Sequence, residues 1–295
     1  MNPFDISSSD WRPSTAKEIQ SYYKHIFPTT WNSLPEYITK SSSMEYAFAF
    51  QKPVKTVEGS AVKEKDFLRR TNHNIEGLKK LQNLLLDFKR FDPIAAVVEN
   101  SQIESLYFSL KMKDESWLLA FDIDAKNVAM AGMCEHHPGL KPDADDAEVI
   151  SWRRMIGSIP PVHPQHIKDP EKGYLYCFNC LQIAINKAFE LKRTLIEWGF
   201  SSDDIHVYYS GQGAHVHVTD PDAWNYSRPA RDFVAKQLDN HKQIPIDTMV
   251  TIDARRILRF PGSLHGGVNR RVQELFHPYD IEEIIARPNW QYKVI

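Results

Sequence analysis

Trp117-Leu118-Leu119-Ala120-Phe121-Asp122-Ile123-Asp124 is the stretch on which the reading of this chain turns. It is an apolar run closed by two carboxylates spaced i, i+2. In a β-strand alternate side chains share a face, so Asp122 and Asp124 point the same way and Ile123 points back into the core. Two carboxylates side by side at a strand end repel unless a cation sits between them. A hard divalent ion, Mg²⁺ or Mn²⁺, takes oxygen ligands and removes that penalty. The plain alternative is a strand that ends in an acidic turn, and the rest of the chain decides between the two.

The 295 residues are 42% hydrophobic and 12% aromatic, enough to bury one large domain or two closely packed ones. A formal net charge of -2 argues against a histone-like coating protein, although a basic cleft can sit on a neutral protein. No apolar run reaches the roughly 18 residues that a membrane span needs. Met1-Asn2-Pro3-Phe4-Asp5 lacks a basic segment followed by an apolar one, so no signal peptide is expected. The cysteines are Cys134, Cys177 and Cys180. An odd count with a Cys-x-x-Cys pair points to a reducing, cytoplasmic compartment and to metal or redox chemistry rather than a disulfide scaffold.

Around the Asp-x-Asp strand the patterning predicts alternating elements. Thr15 and Glu18 have capping-box spacing for a helix over 14–27, with Ile19, Tyr22, Tyr23 and Ile26 on one face and Pro28 as its stop. Met44–Phe50 alternates as a half-buried strand, 66–70 predicts a basic strand, and Leu78, Leu81, Leu85 and Phe88 mark a helix. Short strands are expected at Ile94–Val98 and Leu106–Leu110. Pro138–Gly173, with six prolines and the acidic cluster Asp143, Asp145, Asp146 and Glu148, reads as a surface insertion with one short helix near Ser151–Met155. Cys177–Trp198 predicts a long amphipathic helix ended by Gly199. Strands at Ile205–Tyr209 and Ala214–Val218 flank the turn Ser210-Gly211-Gln212-Gly213, and 229–241 reads as helix.

Three constellations carry chemistry. In Ser-Gly-x-Gly-x-His the glycines allow positive φ and expose backbone N–H groups, which suits a phosphate. Ser210 can donate its hydroxyl and His215 can reach the same anion. His217 shares that strand face but lies further from the loop. A Gly-rich hairpin with an incidental histidine is the competing reading. Arg255, Arg256 and Arg259 have helical spacing, with His265 beyond them, and arginine clusters clamp triphosphates through bidentate bonds. A solvated basic helix face competes with that. Asp247 either pairs with those arginines or is a third metal ligand, and Asp253 is a rival for the second role. Finally, Cys134, Cys177 and Cys180 with His136 or His137 make a tetrahedral Cys₃His set for a structural zinc, with His136 the first choice. Unliganded thiols are the alternative, and an iron–sulfur cluster fits a histidine-containing set less well.

The order of these motifs resembles the archaeo-eukaryotic primase superfamily, and within it the small catalytic subunit of archaeal DNA primase. The resemblance rests on the Asp-x-Asp strand, the Cys-x-x-Cys helix, the block from Tyr208 to Val218, and Ile244-Pro-Ile-Asp247 followed by Thr251, Asp253, Arg255, Arg256 and Pro261-Gly-Ser-Leu-His265. It extends to the Tyr22-Tyr23 helix and the strand at Glu45 and covers most of 15–275. It implies an α/β (α+β) fold: a single primase-type catalytic domain over 1–295 with an RRM-like mixed sheet, and inside it, over 134–180, a small zinc knuckle and insertion. It implies template-directed nucleotidyl transfer, a DNA primase or primase-polymerase that makes or extends primers on single-stranded DNA. Asp122, Asp124 and Asp247 would then be the catalytic triad, holding two Mg²⁺ or Mn²⁺ ions. Ser210, His215, Arg69, Arg259 and His265, with Gly211, Gly213 and Arg255, would hold the incoming nucleotide. Cys134, His136, Cys177 and Cys180 would hold one zinc. The implied partners are a single-stranded DNA template, a primer strand, NTPs or dNTPs and a primase large subunit.

Met44 stands where the family often has arginine, and Pro138–Gly173 separates the zinc ligands more widely than in compact members. A catalytically idle nucleic-acid-binding factor of the same fold and a metal-dependent nuclease are the rival readings. The complete carboxylate set argues against the first. A nuclease would not need the Ser-Gly-x-Gly-x-His loop.

Overall fold

The structure, a computed structural model, describes residues 14–39, 44–50, 54–58, 61–65, 69–70, 78–86, 95–97, 103–112, 116–135, 137, 139–140, 145, 147–148, 151, 166–168, 175–253 and 255–280. The chain divides into two compact units. The carboxylate unit takes 119–253 and 274–288, and the sheet unit takes 13–118 and 254–273, with the two termini split between them. No helix among the described residues is long and apolar enough to cross a membrane.

The sheet unit begins with α1 (Ala16–Ser21). Its capping box is complete: Thr15 Oγ1 accepts from the Glu18 N–H, and Glu18 Oε2 accepts from the Thr15 N–H at 2.7 Å. The expected stop at Pro28 does not occur. A π turn over Tyr22–Ile26 lets the Phe27 N–H reach back to the Tyr22 carbonyl. Pro28 thereby falls in the first turn of α2 (Phe27–Trp31), where a missing N–H costs little. After α3 (Glu36–Thr39) come β1 (Tyr46–Phe50), β2 (Val54–Glu58), β3 (Ala61–Lys65) and β4 (Arg69–Arg70). Of the basic strand expected over 66–70, the first three residues lie outside the described residues, as does Phe88. Helix α4 (Leu78–Leu86) buries Leu81, Leu84 and Leu85. Then β5 (Ala95–Val97) closes a three-stranded sheet β3-β2-β5, and β6 (Ile103–Ser109) starts before the expected Leu106.

The carboxylate unit opens with β7 (Leu119–Asp124), the Asp-x-Asp strand. Leu119, Phe121 and Ile123 are fully buried, as the alternation requires. The backbone turns directly into α5 (Ala125–Met130) with Asp124 at its N-cap. Inside the insertion, β8 (His166–Lys168) pairs antiparallel with β9 (Leu175–Cys177), a hairpin that the weak periodicity does not predict. Apart from Ser151, the short helix expected at Ser151–Met155 lies outside the described residues. Helix α6 (Phe178–Glu197) buries Leu181, Ala184, Ile185, Ala188, Leu191 and Leu195 and packs across the sheet. Gly199 ends it at φ +104, with the Phe200 N–H on the Leu195 carbonyl. Strands β10 (Ile205–Tyr209) and β11 (Gly213–Val218) form an antiparallel hairpin, and β11 also pairs antiparallel with β7. Helices α7 (Pro221–Trp224) and α8 (Arg228–Lys236) follow, the latter running into a π turn over Gln237–His241, and then α9 (Thr248–Ile252).

Returning to the sheet unit, β12 (Ile257–Arg259), β13 (Leu264–His265) and β14 (Arg270–Arg271) complete the order β14-β13-β6-β1-β4, with β12 also on β6. Strand β15 (Gln273–Leu275) ends the carboxylate sheet, whose order is β15-β10-β11-β7. The chain is therefore an α/β protein, and every strand register described is antiparallel.

Candidate active site

Register places the two carboxylates. Asp122 stands opposite His215 and Asp124 opposite Gly213, so all four positions are on one face of the β7–β11 pair. His215 is 2% exposed and its Nε2 lies 3.5 Å from Asp122 Oδ1. Asp247 joins them through its backbone. Its N–H donates to the Asp122 carbonyl at 2.8 Å, and its own Oδ1 caps α9 by accepting from the Met249 N–H at 3.1 Å. One turn on, the Thr251 hydroxyl donates to the Ala120 carbonyl at 3.1 Å. Helix α9 is thus fastened to β7 at two points, with Asp247 at the carboxylate end. Asp253 is the C-cap of the same helix, about 9 Å further along its axis.

The loop between β10 and β11 is tightly tied. The Ser210 N–H donates to the Gly213 carbonyl at 3.0 Å, the Tyr209 hydroxyl to the Gly211 carbonyl at 2.9 Å, and the Ala125 N–H to the Gln212 carbonyl at 2.9 Å. Gly211 takes φ +104, a conformation that costs a side-chain-bearing residue. Gly213 serves a different need. It is already in the strand, and a Cβ there would meet Asp124 Cα at 2.7 Å and press on the Ile123 carbonyl. Ser210 is fully buried and its Oγ has no partner among the described residues. A buried hydroxyl left without a partner costs about 1–3 kcal/mol, so the position suits a group that brings its own hydrogen-bonding oxygen.

His217 lies behind His215. It is fully buried, its ring stacked at 6.1 Å on His215 and 4.8 Å from Tyr208. Burial, with a smaller contribution from His206, pushes its pKa down to about 3, so the ring is neutral near pH 7. The alternation of polar residues in β11 already set His217 on this face. Its burial is what sequence reasoning missed.

The basic residues expected at the site belong to the sheet unit. Arg255, Arg256 and Arg259 do not share a helical face, contrary to their spacing. Helix α9 ends at Ile252, Arg255 and Arg256 lie exposed in the connection, and Arg259 is in β12, opposite Tyr107. Backbone pairing of Ile257-Leu258-Arg259 with β6 overrides the local spacing. Arg259 stands over the Tyr107 ring, 5.5 Å from its centroid. His265, 2% exposed, lies in β13 opposite Ser105. Arg69 is opposite Phe48 in the β1–β4 register.

A second cluster stands apart from the carboxylates. Cys134, His137, Cys177 and Cys180 are all buried, and their ligand atoms lie within 4.8 Å of one another. The Cys134 and Cys177 sulfurs are 3.9 Å apart, and the Cys180 sulfur is 3.3 Å from His137 Nδ1. A tetrahedral ion about 2.3 Å from sulfur and about 2.0 Å from nitrogen sets those separations near 3.8 and 3.6 Å. The four residues therefore fit a zinc ion. The geometry favours His137 over His136 as fourth ligand: the His137 N–H bonds to the Cys134 carbonyl at 3.1 Å, curling that ring back over the sulfurs. His136 lies outside the described residues. Cys177 is the N-cap of α6 and Cys180 is in its first turn, so the helix start directs both sulfurs inward. A hydrogen bond to Cys177 and burial push the Cys180 thiol pKa far up when no cation is bound.

No known family model matches this chain. It is similar to a curated protein of Archaeoglobus fulgidus described as an uncharacterized DNA primase small subunit-like protein, with 29% identity over 168 residues. The match covers 57% of this chain and 46% of that protein, so the chain spans about half the length of the relative.

Proposed function

We propose that the chain is a template-directed nucleotidyltransferase of the primase type, making or extending primers on single-stranded DNA. The observation that carries this reading is the fastening of Asp247 to the Asp122 backbone beside the same-face pair Asp122 and Asp124. The similarity to a primase-like protein supports it. Asp122, Asp124 and Asp247 are an all-oxygen donor set suited to Mg²⁺ or Mn²⁺. Such ions, when bound, lower the pKa of an attacking hydroxyl and steady a leaving pyrophosphate.

The chain's own residues do the rest. His215, held between Asp122 and the His217 ring, donates to a phosphate oxygen. The buried Ser210 hydroxyl donates to another, and Gly211 opens the loop backbone to the same anion. In the sheet unit Arg69, Arg255, Arg259 and His265 carry the basic groups of the nucleotide assignment. Positioning and charge stabilisation then supply most of the rate. The Cys₃His cluster takes one structural zinc, because four protein ligands leave no open position for chemistry.

The test is incubation with a primed single-stranded template, labelled nucleotides and Mn²⁺. Strand extension supports the reading. Cleavage favours a nuclease, and template binding without either favours a catalytically idle binding factor.

A further inference from the structure

The sulfurs of the metal cluster come from two places in the carboxylate unit. Cys177 and Cys180 stand at the N-cap and in the first turn of α6. Cys134 follows α5 and lies 43 residues before Cys177 in the chain. All three are buried, with Cys134 and Cys180 1% exposed and Cys177 4%. Zinc takes them as thiolates, and three thiolates outweigh the charge of one divalent ion. The surplus negative charge is buried with them. A buried charge is costly unless hydrogen-bond donors or dipoles face it.

Helix α6 supplies one compensation. Its 20 residues bring the positive end of a macrodipole to Cys177 and Cys180. Cys134 is not on that helix. Asn179 reaches it instead: its Nδ2 donates to Cys134 Sγ at 3.5 Å, across 45 residues of sequence. The start of α6 therefore carries two sulfurs on its backbone and touches the third with a side-chain amide.

The residue type fits that task. Asparagine is a weak helix former whose favoured place is the N-cap, and Cys177 already takes that place. Asn179 is only half-buried, so packing alone does not call for it. Its NH₂ group is a donor that carries no charge to lose. A carboxylate in the same position would have only acceptors to set against the sulfur.

We propose that Asn179 is a positioning residue of the metal centre, its amide N–H orienting Cys134 Sγ and stabilising it as the thiolate that zinc requires. This rests on the zinc reading above and goes beyond it by naming a residue outside the ligand set. Hydrogen bonds of this outer kind fix the orientation of the ligands, and their loss lowers metal affinity about 10- to 100-fold.

The test uses the full chain under reducing conditions. Wild type, Asn179→Leu and Asn179→Asp compete for Zn²⁺ with a chromogenic chelator. Asn179→Leu keeps the volume but not the donor and should bind zinc about tenfold more weakly. Asn179→Asp sets a negative charge against the sulfur and should bind more weakly still. Protein produced with Co²⁺ in place of Zn²⁺ supplies a readout that packing does not move. Its d–d bands should stay tetrahedral in Asn179→Leu, since the four ligands remain. The sulfur-to-cobalt charge-transfer band should move to lower energy, because a hydrogen bond draws electron density from the sulfur and raises that energy. Unchanged zinc affinity in Asn179→Leu overturns the assignment and leaves the zinc centre standing. Weaker affinity with an unmoved charge-transfer band overturns it too, since Asn179 would then serve packing alone. If wild type takes up neither Zn²⁺ nor Co²⁺, the zinc reading itself fails and Asn179 falls with it.

Discussion

Replacing Gly213 by alanine probes the place where β11 runs closest to the carboxylate strand. The added Cβ would lie 2.7 Å from Asp124 Cα and nearer still to the Ile123 carbonyl. Ordinary contact begins at 3.4 Å, so Asp124 must retreat by about 0.7 Å. The Ala125–Gln212 hydrogen bond, now 2.9 Å, and the adjoining ladder bonds stretch with it. One or two lost backbone bonds cost about 1 kcal/mol each, and overpacking adds about 1–3 kcal/mol. The expected destabilisation is about 2–5 kcal/mol. Gly199→Ala is the control. Its φ is +104 but nothing lies within 4 Å, so only the left-handed backbone is penalised, by about 1–2 kcal/mol. Urea unfolding of both variants gives the comparison. In strand extension, displacing Asp124 by a large fraction of an ångström should lower kcat about 100-fold. A Gly213→Ala protein as stable as wild type, or less affected than Gly199→Ala, would refute the close approach and the rigidity inferred for the site.

Three further outcomes follow from the same geometry. Elemental analysis should find about one zinc per chain, lost in Cys177→Ser but kept in Asp122→Ala; absence of zinc together with three freely titrating thiols under native conditions would remove the metal centre. His217 has a folded pKa of about 3 against an ordinary 6.5, so the unfolded chain binds its proton first and stability is lost as pH falls below 6.5, by up to about 1.4 kcal/mol per pH unit until about pH 3. Melting curves from pH 7 to pH 4.5 should therefore fall more steeply for wild type than for His217→Phe, and equal slopes would contradict a buried neutral ring. Asp247→Asn should abolish extension while Asp253→Asn leaves it largely intact, and the reverse pattern would move the third ligand to the far end of α9.

What was legible in the sequence was mostly local. The alternation of Leu119 to Asp124, the apolar stripe of α6 with Gly199 after it, and the hairpin around Ser210 to Gly213 each follow from short-range periodicity and backbone preference. Three features depended on more than residue spacing, one on a distant strand and two on an unusual local turn. Arg259 has helical spacing from Arg255, yet pairing with β6 makes its segment a strand. Pro28 reads as a stop, but the π turn before it removes the demand for its N–H. His136 and His137 are indistinguishable by spacing, and only the turn that bonds the His137 N–H to Cys134 orients a ring toward the sulfurs. Gly213 reads as a phosphate-loop glycine, and its close approach to Asp124 of β7 is a second demand that local sequence does not announce.

The proposed nucleotidyl-transfer site stands or falls on Asp122, Asp124 and Asp247 as its metal-dependent centre. The most direct measurement is Mn²⁺-dependent incorporation of labelled nucleotide on a primed single-stranded template by wild type, Asp122→Ala and Asp124→Ala, with template affinity and melting temperature measured on the same preparations. Extension is expected from wild type and none detectable from either variant, with template binding retained and melting temperatures no lower than wild type, because removing one of two neighbouring like charges relieves repulsion. Extension by both variants at near wild-type rates, with folding intact, would contradict it.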